Sequence, residues 1–203
     1  REDKNGKTPF AGTSREAGLC ESLRIAYRWA QHAKRVFDRI WNQKRTWRKK
    51  RAWNRCAVIQ QFMGTHRLFR EEIRKTRLRI TRLVDKFRKW YMRFIIVQET
   101  SGSGSWLCKP ERHAYTTPGT GIKLCPDFFA RNADQRAMII IHEMVHQLGW
   151  SHQRLPGVGG AWVKSQIDQR TDAITLAQVR PWRARRSPVN FGWMLMELRA
   201  CSP

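Results

Sequence analysis

The side chains with the clearest chemical role lie in one short stretch, in which His142, Glu143 and His146 form the pattern His-Glu-x-x-His. On a helix, His142 and His146 are one turn apart and face the same side, so their imidazoles can share one metal ion. Glu143 then faces the water that the metal activates and can act as a general base. The spacing therefore predicts a hydrolytic zinc site (Zn²⁺) with Glu143 as its catalytic residue.

The pattern continues beyond the second histidine, because Gly149 and His152 complete His-Glu-x-x-His-x-x-Gly-x-x-His. A glycine at this position lets the chain turn sharply off the helix, which brings His152 to the metal as a third ligand. The alternative is a core helix that carries two histidines for structural reasons. Two further matches at fixed offsets favour the metal site, with His142, His146 and His152 as ligands.

The helix that carries the motif is predicted from its apolar face and from its start. Asn132 and Gln135 have the spacing of a capping box, which places the N-terminus of the helix there. The apolar residues are Ala137, Met138, Ile140, Ile141, Met144, Val145 and Leu148. We expect this helix to be buried at the centre of the domain.

Apolar residues at helical spacing dominate the first half of the chain, and arginine and lysine fill the opposite faces. Residues 1–18 are polar and are predicted to be a flexible lead-in. Helices are then predicted over residues 19–43, 44–55, 57–69 with an interruption at Gly64, and 71–91. Residues 19–203 are expected to form a single catalytic domain, with a basic helical half over 19–93 and a sheet and active-site half over 94–203.

The periodicity changes after the basic half. Short strands are predicted over residues 94–97, 106–108, 113–116 and 122–125. Within the last of these, Ile122, Lys123 and Leu124 are predicted to lie at the edge of the sheet beside the cleft, where an extended peptide can pair with the strand. Further helices are predicted over residues 171–179 and 190–199. The fold class is therefore α+β, with a small mixed sheet before a central metal-binding helix.

The charge of the chain is strongly positive, since Lys and Arg number 40 and Asp and Glu 16, which gives a formal net charge of +24. Such a surplus attracts anionic polymers, whether nucleic acid, a lipid surface or a cell-envelope polymer. Residues 44–55 are the most basic run and include Trp47 and Trp53, so this run is the candidate for such a contact. The preferred interpretation of the run is a solvated helix face whose tryptophans pack inward. No apolar run is long enough to cross a bilayer, so no transmembrane segment is predicted.

The chain has five cysteines, and the bridge that two of them can form indicates an oxidising compartment. Cys108 and Cys125 bracket a short loop, and a bridge between them would stabilise the fold by about 3 kcal/mol in the chain-entropy model. Of Cys20, Cys56 and Cys201, at most two can pair.

The first residues are neither a signal peptide nor an initiator methionine, so we expect a mature or excised portion of a longer chain, secreted or delivered outside the producing cell.

The chain resembles a known family between residues 108 and 146. The similar segments are Ala114-Tyr115-Thr116-Thr117-Pro118, Ile122-Lys123-Leu124-Cys125-Pro126-Asp127-Phe128-Phe129 and the His-Glu-x-x-His helix. They resemble the aspzincins, the group of deuterolysin and peptidyl-Lys metalloendopeptidase. Further matches in spacing are Leu176-Ala177, Pro181, Ala184 and Ser187-Pro188-Val189-Asn190-Phe191. The resemblance implies a zincin-like metallopeptidase fold, a secreted zinc endopeptidase and a disulfide between Cys108 and Cys125.

The third zinc ligand separates this chain from the aspzincins. That family uses an aspartate, for which Asp168 and Asp172 are the candidates here, whereas His152 fits the spacing of the metzincins. The metzincins also place a methionine turn under the metal, a position for which Met194 and Met196 are candidates. His152 is the preferred ligand, because its spacing is complete and the aspartate motif is degenerate.

Two supporting roles have candidates in the sequence. A carboxylate is expected to orient one of the metal-bound histidines, and Asp168 or Asp172 would supply it. A tyrosine often stabilises the oxyanion in such enzymes, and this chain contains Tyr27, Tyr91 and Tyr115.

Three classes of function are compatible with these features. The first is a zinc-dependent metalloendopeptidase that acts on protein or peptide, secreted or delivered as a toxin. The second is a cell-envelope hydrolase toxin that cuts peptidoglycan peptides. The third is a nucleic-acid-binding protein with a structural zinc, against which Glu143 and an open coordination position argue, because structural zinc sites are normally closed by four protein ligands.

Overall fold

The computed structural model describes residues 14–65, 68–88, 94–96, 108, 112–117, 121–153 and 170–199. The helices in these ranges are α1 (Ser14–Trp41), α2 (Thr46–Arg55), α3 (Ala57–Met63), α4 (Arg70–Arg88), α5 (Pro126–Phe129), α6 (Ala133–Gln147), α7 (Arg170–Val179), α8 (Pro181–Ala184) and α9 (Pro188–Leu198). The strands are β1 (Phe94–Ile96), β2 (Ala114–Thr117) and β3 (Gly121–Leu124). The protein is thus mainly helical with a small sheet.

The first four helices occupy the predicted ranges with shifted ends. α1 begins at Ser14, so the last part of the predicted lead-in is helical, and Glu16 in the first turn favours this start through the helix dipole. The rest of the lead-in lies outside the described residues. α3 ends at Met63 because Gly64 has a φ of +63°, and a Cβ at Gly64 would lie only 2.3 Å from the carbonyl oxygen of Ala177.

Helix α6 packs against α1, α9 and β2, which places it at the centre of the fold as predicted. Every residue from Ala137 to Val145 is buried. The capping box at its start is also confirmed. The backbone N–H of Gln135 donates to Asn132 Oδ1 at 2.9 Å, and the backbone N–H of Asn132 donates to Gln135 Oε1 at 3.3 Å.

The sheet is mixed, as predicted, but its strand order differs from the expectation. The order is β1-β3-β2, with β1 parallel and β2 antiparallel to β3. The prediction that Ile122, Lys123 and Leu124 form an edge strand is therefore wrong, since β3 has a partner on each side. Ile122 and Leu124 are fully buried, as residues of a central strand are. Within the described part of the chain, β2 is an edge strand and packs against α6.

A disulfide joins Cys108 to Cys125, with their Cα atoms 5.5 Å apart, which confirms the predicted pair. The backbone N–H of Cys125 donates to the carbonyl of His113 at 2.9 Å. The bridge therefore fastens the segment before β2 to the end of β3. Cys20 and Cys56 are half-buried thiols, and Cys201 lies outside the described residues.

None of the helices that the structure describes combines the length and the apolar character needed to cross a membrane.

Candidate metal centre

Three imidazoles converge at the C-terminal end of α6. The Nε2 atom of His146 lies 3.1 Å from Nε2 of His142 and 3.1 Å from Nε2 of His152. The candidate ligand atoms of the three residues all lie within 4.8 Å of one another. Two nitrogens bound to one tetrahedral zinc at about 2.0–2.1 Å are roughly 3.3 Å apart, so the two separations from His146 are close to what that ion requires.

The turn after α6 brings His152 to the two histidines of the helix. Gly149 has a φ of +87°, a region that residues with a Cβ rarely adopt, and its N–H donates to the carbonyl of His146 at 2.9 Å. No atom lies within 4 Å of the position that a Cβ on Gly149 would occupy. The need for glycine therefore comes from the backbone angle and not from crowding.

The ring of His146 is oriented by a backbone carbonyl. Its Nδ1 lies 2.5 Å from the carbonyl oxygen of Trp150, and because that oxygen can only accept, Nδ1 carries the hydrogen and Nε2 keeps its lone pair. A carboxylate was expected to orient either His142 or His146, and at His146 a backbone carbonyl has this role instead. For His142 the expectation stays a prediction. Every residue has a backbone carbonyl, so the sequence does not reveal which carbonyl accepts this hydrogen bond.

Burial favours the neutral form of the two helical histidines. It lowers the pKa of His142 well below its ordinary value, with the nearby His146 and His152 acting in the same direction. Burial also lowers the pKa of His146, although the hydrogen bond to the Trp150 carbonyl opposes the shift. Neutral imidazole is the form that binds metal ions.

Glu143 is buried beside the histidines, with only 5% of its surface exposed. Burial raises the pKa of its carboxyl to about 7, against the opposing effects of a hydrogen bond from the Thr116 side chain and of the charge of Arg112. A carboxyl with a pKa near 7 can both accept and release a proton at neutral pH. Sequence reasoning missed Thr116 and Arg112, which lie on or beside the edge strand β2.

A cavity of about 570 Å³ adjoins these groups. Its wall is formed by the end of α6, the following turn and the edge strand β2. The residues that line it are Arg112, Ala114, Tyr115, Thr116, Glu143, His146, Gly149, Trp150, Ser151 and His152. Of the tyrosines considered for the oxyanion, Tyr115 lines this cavity, Tyr27 packs against Phe87, and Tyr91 lies outside the described residues.

Comparison with known proteins links this geometry to a solved fold. No protein-family model and no curated protein sequence matches the chain. Among solved structures, the chain is similar to a zinc peptidase from Grifola frondosa, with a TM-score of 0.62 and 15% sequence identity. The fold is similar to that of a zinc peptidase. The match covers 94% of this chain and 99% of that chain, so it includes the helical first half as well as the sheet and α6.

The remaining candidates for the site lie elsewhere or outside the described residues. Asp168 is not among the described residues. Asp172 lies in the first turn of α7. Among the described residues, the cluster that could hold a metal ion consists of His142, His146 and His152 and does not include Asp172. Met194 and Met196 lie inside α9, so the expected methionine turn is wrong at this position. Ser187 and Pro188 start that helix, which is why the segment does not turn.

Proposed function

We propose that the protein is a zinc-dependent metalloendopeptidase. His142, His146 and His152 hold the metal, and Glu143 is the general base. The observation that carries this proposal is the convergence of three imidazole Nε2 atoms next to a buried carboxylate. Of these groups, Glu143, His146 and His152 line one cavity. The similarity of the fold to that of a zinc peptidase supports it.

The residues of the site have complementary roles in peptide hydrolysis. His142, His146 and His152 would hold the zinc, which would act as a Lewis acid that polarises the scissile carbonyl and acidifies water. Glu143 takes a proton from the attacking water and passes it to the leaving amine. Burial raises the pKa of this carboxyl, which favours uptake of the proton from water.

The edge strand β2 gives the cavity a place for an extended substrate. On one side, β2 pairs with β3 from Ala114 to Thr117. In the described part of the chain, no strand pairs with its other side. An extended peptide can add to such an edge through main-chain hydrogen bonds, which fix its position without requiring one side chain. This arrangement favours cleavage within a chain and therefore an endopeptidase.

The proposal is tested by assaying zinc-loaded protein on casein and on purified peptidoglycan side by side. We expect cleavage of casein by the parent protein. The variant Glu143→Gln should keep a full equivalent of zinc and an unchanged far-UV spectrum, but should lose turnover by a factor of about 10²–10⁴. Zinc-loaded parent protein that cleaves neither substrate, or a Glu143→Gln variant with substantial turnover, would contradict the proposal.

A cell-envelope hydrolase is the second candidate, and the formal net charge of +24 favours it because cell-envelope polymers are often anionic. The chemistry at the zinc would be the same, with a peptidoglycan peptide as substrate. Cleavage of peptidoglycan without cleavage of casein would establish this alternative. In either case we propose action outside the producing cell, which the disulfide between Cys108 and Cys125 supports.

A further inference from the structure

Two aromatic side chains near the start of the helical half are unusually exposed. Trp47 on α2 is 51% exposed, and Phe69, just before α4, is 61% exposed. Among the large apolar side chains that the structure describes, only Val179 is comparably exposed, at 50%. The other tryptophan of α2, Trp53, is fully buried and donates its Nε1–H to the carbonyl of Gly64 at 3.1 Å. The prediction that both tryptophans pack inward therefore holds for Trp53 only.

The two exposed rings share one surface with several cations. Arg48 places its guanidinium carbon 5.2 Å from the centroid of the Trp47 ring. Lys50, one turn after Trp47, places its ammonium nitrogen 5.8 Å from the centroid of the Phe69 ring. Arg51, one turn after Trp47 on α2, and Arg70, the residue after Phe69, are also exposed. We call this surface the cationic-aromatic patch, which comprises Trp47, Arg48, Lys50, Arg51, Phe69 and Arg70.

No carboxylate of the chain segment around the patch neutralises it. The sequence contains no Asp or Glu between Asp38 and Glu71. Asp38 is held by Lys34 and Arg77 at 2.6 Å each, and Glu71 is held by Arg74 at 2.6 Å. The flanking carboxylates are therefore engaged by cations outside the patch.

Lys49 does not belong to the patch, although the sequence places it in the middle of the basic run. It is only 6% exposed, and its ammonium group donates to the carbonyls of Trp41 and Gln43. Its role is to join α2 to the end of α1. Any test of the patch must leave Lys49 in place, since its removal would disturb the fold.

We propose that the cationic-aromatic patch docks the protein on an anionic lipid surface. Lysine and arginine next to an anionic bilayer are attracted to it, and exposed aromatic rings bury themselves at the boundary between headgroups and acyl chains. Phe69 has no polar atom in its side chain and is exposed in the free protein, so insertion gains apolar burial. None of the residues of the patch lines the cavity at the metal centre.

A single-stranded nucleic acid fits the patch less well. Bases bind such surfaces by stacking on open ring faces. Here Arg48 lies over one face of the Trp47 ring and Lys50 over one face of the Phe69 ring, which leaves less open ring surface for a base. Binding to a membrane does not require an open ring face. A ring can enter the interface while the cation over its face stays at the level of the lipid phosphates.

The experiment measures sedimentation of the full chain with two kinds of vesicle. One contains phosphatidylcholine and phosphatidylglycerol in equal parts, and the other contains phosphatidylcholine alone. We expect binding to the anionic vesicles that is much stronger than binding to the neutral ones and that falls with added salt. Trp47→Ala combined with Phe69→Ala should weaken binding to anionic vesicles roughly tenfold or more. Arg48→Gln and Lys50→Gln should each weaken it roughly fivefold.

The matched control is Val179→Ala combined with Arg180→Gln, which removes an equally exposed apolar side chain and a neighbouring cation at the end of α7. It should bind anionic vesicles as the parent does, and thermal unfolding should show that every variant is folded. Parent-like binding by the Trp47 and Phe69 variant, or an equal loss in the control, would overturn the proposal. So would a parent protein that binds a single-stranded oligonucleotide through the patch but fails to bind the vesicles.

Discussion

The guanidinium carbon of Arg79 lies 4.2 Å from the centroid of the Trp150 ring. The Trp150 ring also packs against the ring of Phe191, with the two centroids 5.3 Å apart. Arg79 belongs to α4 in the helical half, and its Nη1 also donates to the carbonyl of Arg185 at 2.5 Å. The carbonyl of Trp150 accepts the Nδ1 hydrogen of His146. A residue of the helical half therefore braces the segment that orients a candidate metal ligand.

Replacing Arg79 should consequently weaken zinc binding. Burial, reinforced by the nearby Arg186, lowers the pKa of Arg79 to about 10, so the guanidinium remains charged at neutral pH and can hold the ring of Trp150. We expect Arg79→Met to lower zinc affinity by about 10-fold or more, the effect typical of residues that orient metal ligands. Competition with a chromophoric chelator measures this affinity. Arg82→Met, an exposed position on the same helix, is the control, and equal affinities for the two folded variants would contradict the prediction.

Opening the disulfide between Cys108 and Cys125 should destabilise the sheet half. The sequence separation is 17 residues, for which the chain-entropy model gives about 3 kcal/mol. We expect Cys108→Ser combined with Cys125→Ser to lower the melting temperature, as reduction of the parent should. Cys20→Ser changes a thiol outside the bridge and should leave the melting temperature nearly unchanged. Parent-like stability of the double variant would show that the bridge does not stabilise the fold.

Local patterns in the sequence predict the central helix and the grouping of its histidines well. The capping box at Asn132 and the apolar face of α6 depend on neighbours a few positions apart, and the structure has both. The proximity of His142 and His146 also follows from local spacing, because the two residues are one helical turn apart. His152 is reached by a short turn whose glycine is visible in the sequence, so its position near the other two also follows from local spacing.

Interactions between distant segments could not be predicted in the same way. Ile122 and Leu124 alternate with Lys123, which shows that one face of the strand is buried but does not reveal that β1 and β2 pair with its two edges. Arg79 belongs to a dense arginine pattern, and only tertiary packing distinguishes it from its solvated neighbours. Helix α5 was also missed, although Pro126 at its first turn and Asp127 beside it are a helix-start signal.

The ion pairs of Asp38 should make stability depend on pH. Burial opposes ionisation of this carboxyl, but hydrogen bonds from Lys34 and Arg77 outweigh it and hold its pKa below the ordinary value. A carboxyl with a lowered pKa stabilises the folded state above the pKa of the unfolded chain, which is about 4, and loses this effect as the pH falls through its folded value. Asp38→Asn should therefore cost about 1 kcal/mol at pH 7 and less in acid.

Denaturant titrations of the Asp38→Asn variant at neutral and acidic pH measure this difference. Glu71→Gln is the control, because Glu71 pairs with Arg74 inside α4 and both side chains are nearly half exposed. Exposed pairs of this kind contribute little, so the control should lose less stability than Asp38→Asn. An equal loss in both variants, or a loss for Asp38→Asn that grows in acid, would contradict the assigned role of Asp38.

A Cβ at Gly149 should disturb the metal centre without creating a clash. Gly149→Ala strains the backbone, because the φ of +87° remains unfavourable although no atom lies within 4 Å of the added carbon. We expect a loss of stability of about 1–2 kcal/mol and weaker zinc binding, since the turn carries His152. Gly18→Ala lies inside α1, where alanine is the better helix former, and should not destabilise the protein. Zinc titration and thermal unfolding of both variants provide the comparison.

The identity of the third ligand is decided by the zinc content of matched variants. The Nε2 atom of His152 lies 3.1 Å from that of His146, so His152→Ala removes one of three converging nitrogens and should lower zinc affinity steeply. Asp172 stands in the first turn of α7, and Asp172→Asn should keep a full equivalent of zinc. Asp168→Asn tests the other aspartate in the same way. A His152→Ala protein that keeps its zinc, beside an aspartate variant that loses it, would assign the third ligand to that aspartate instead.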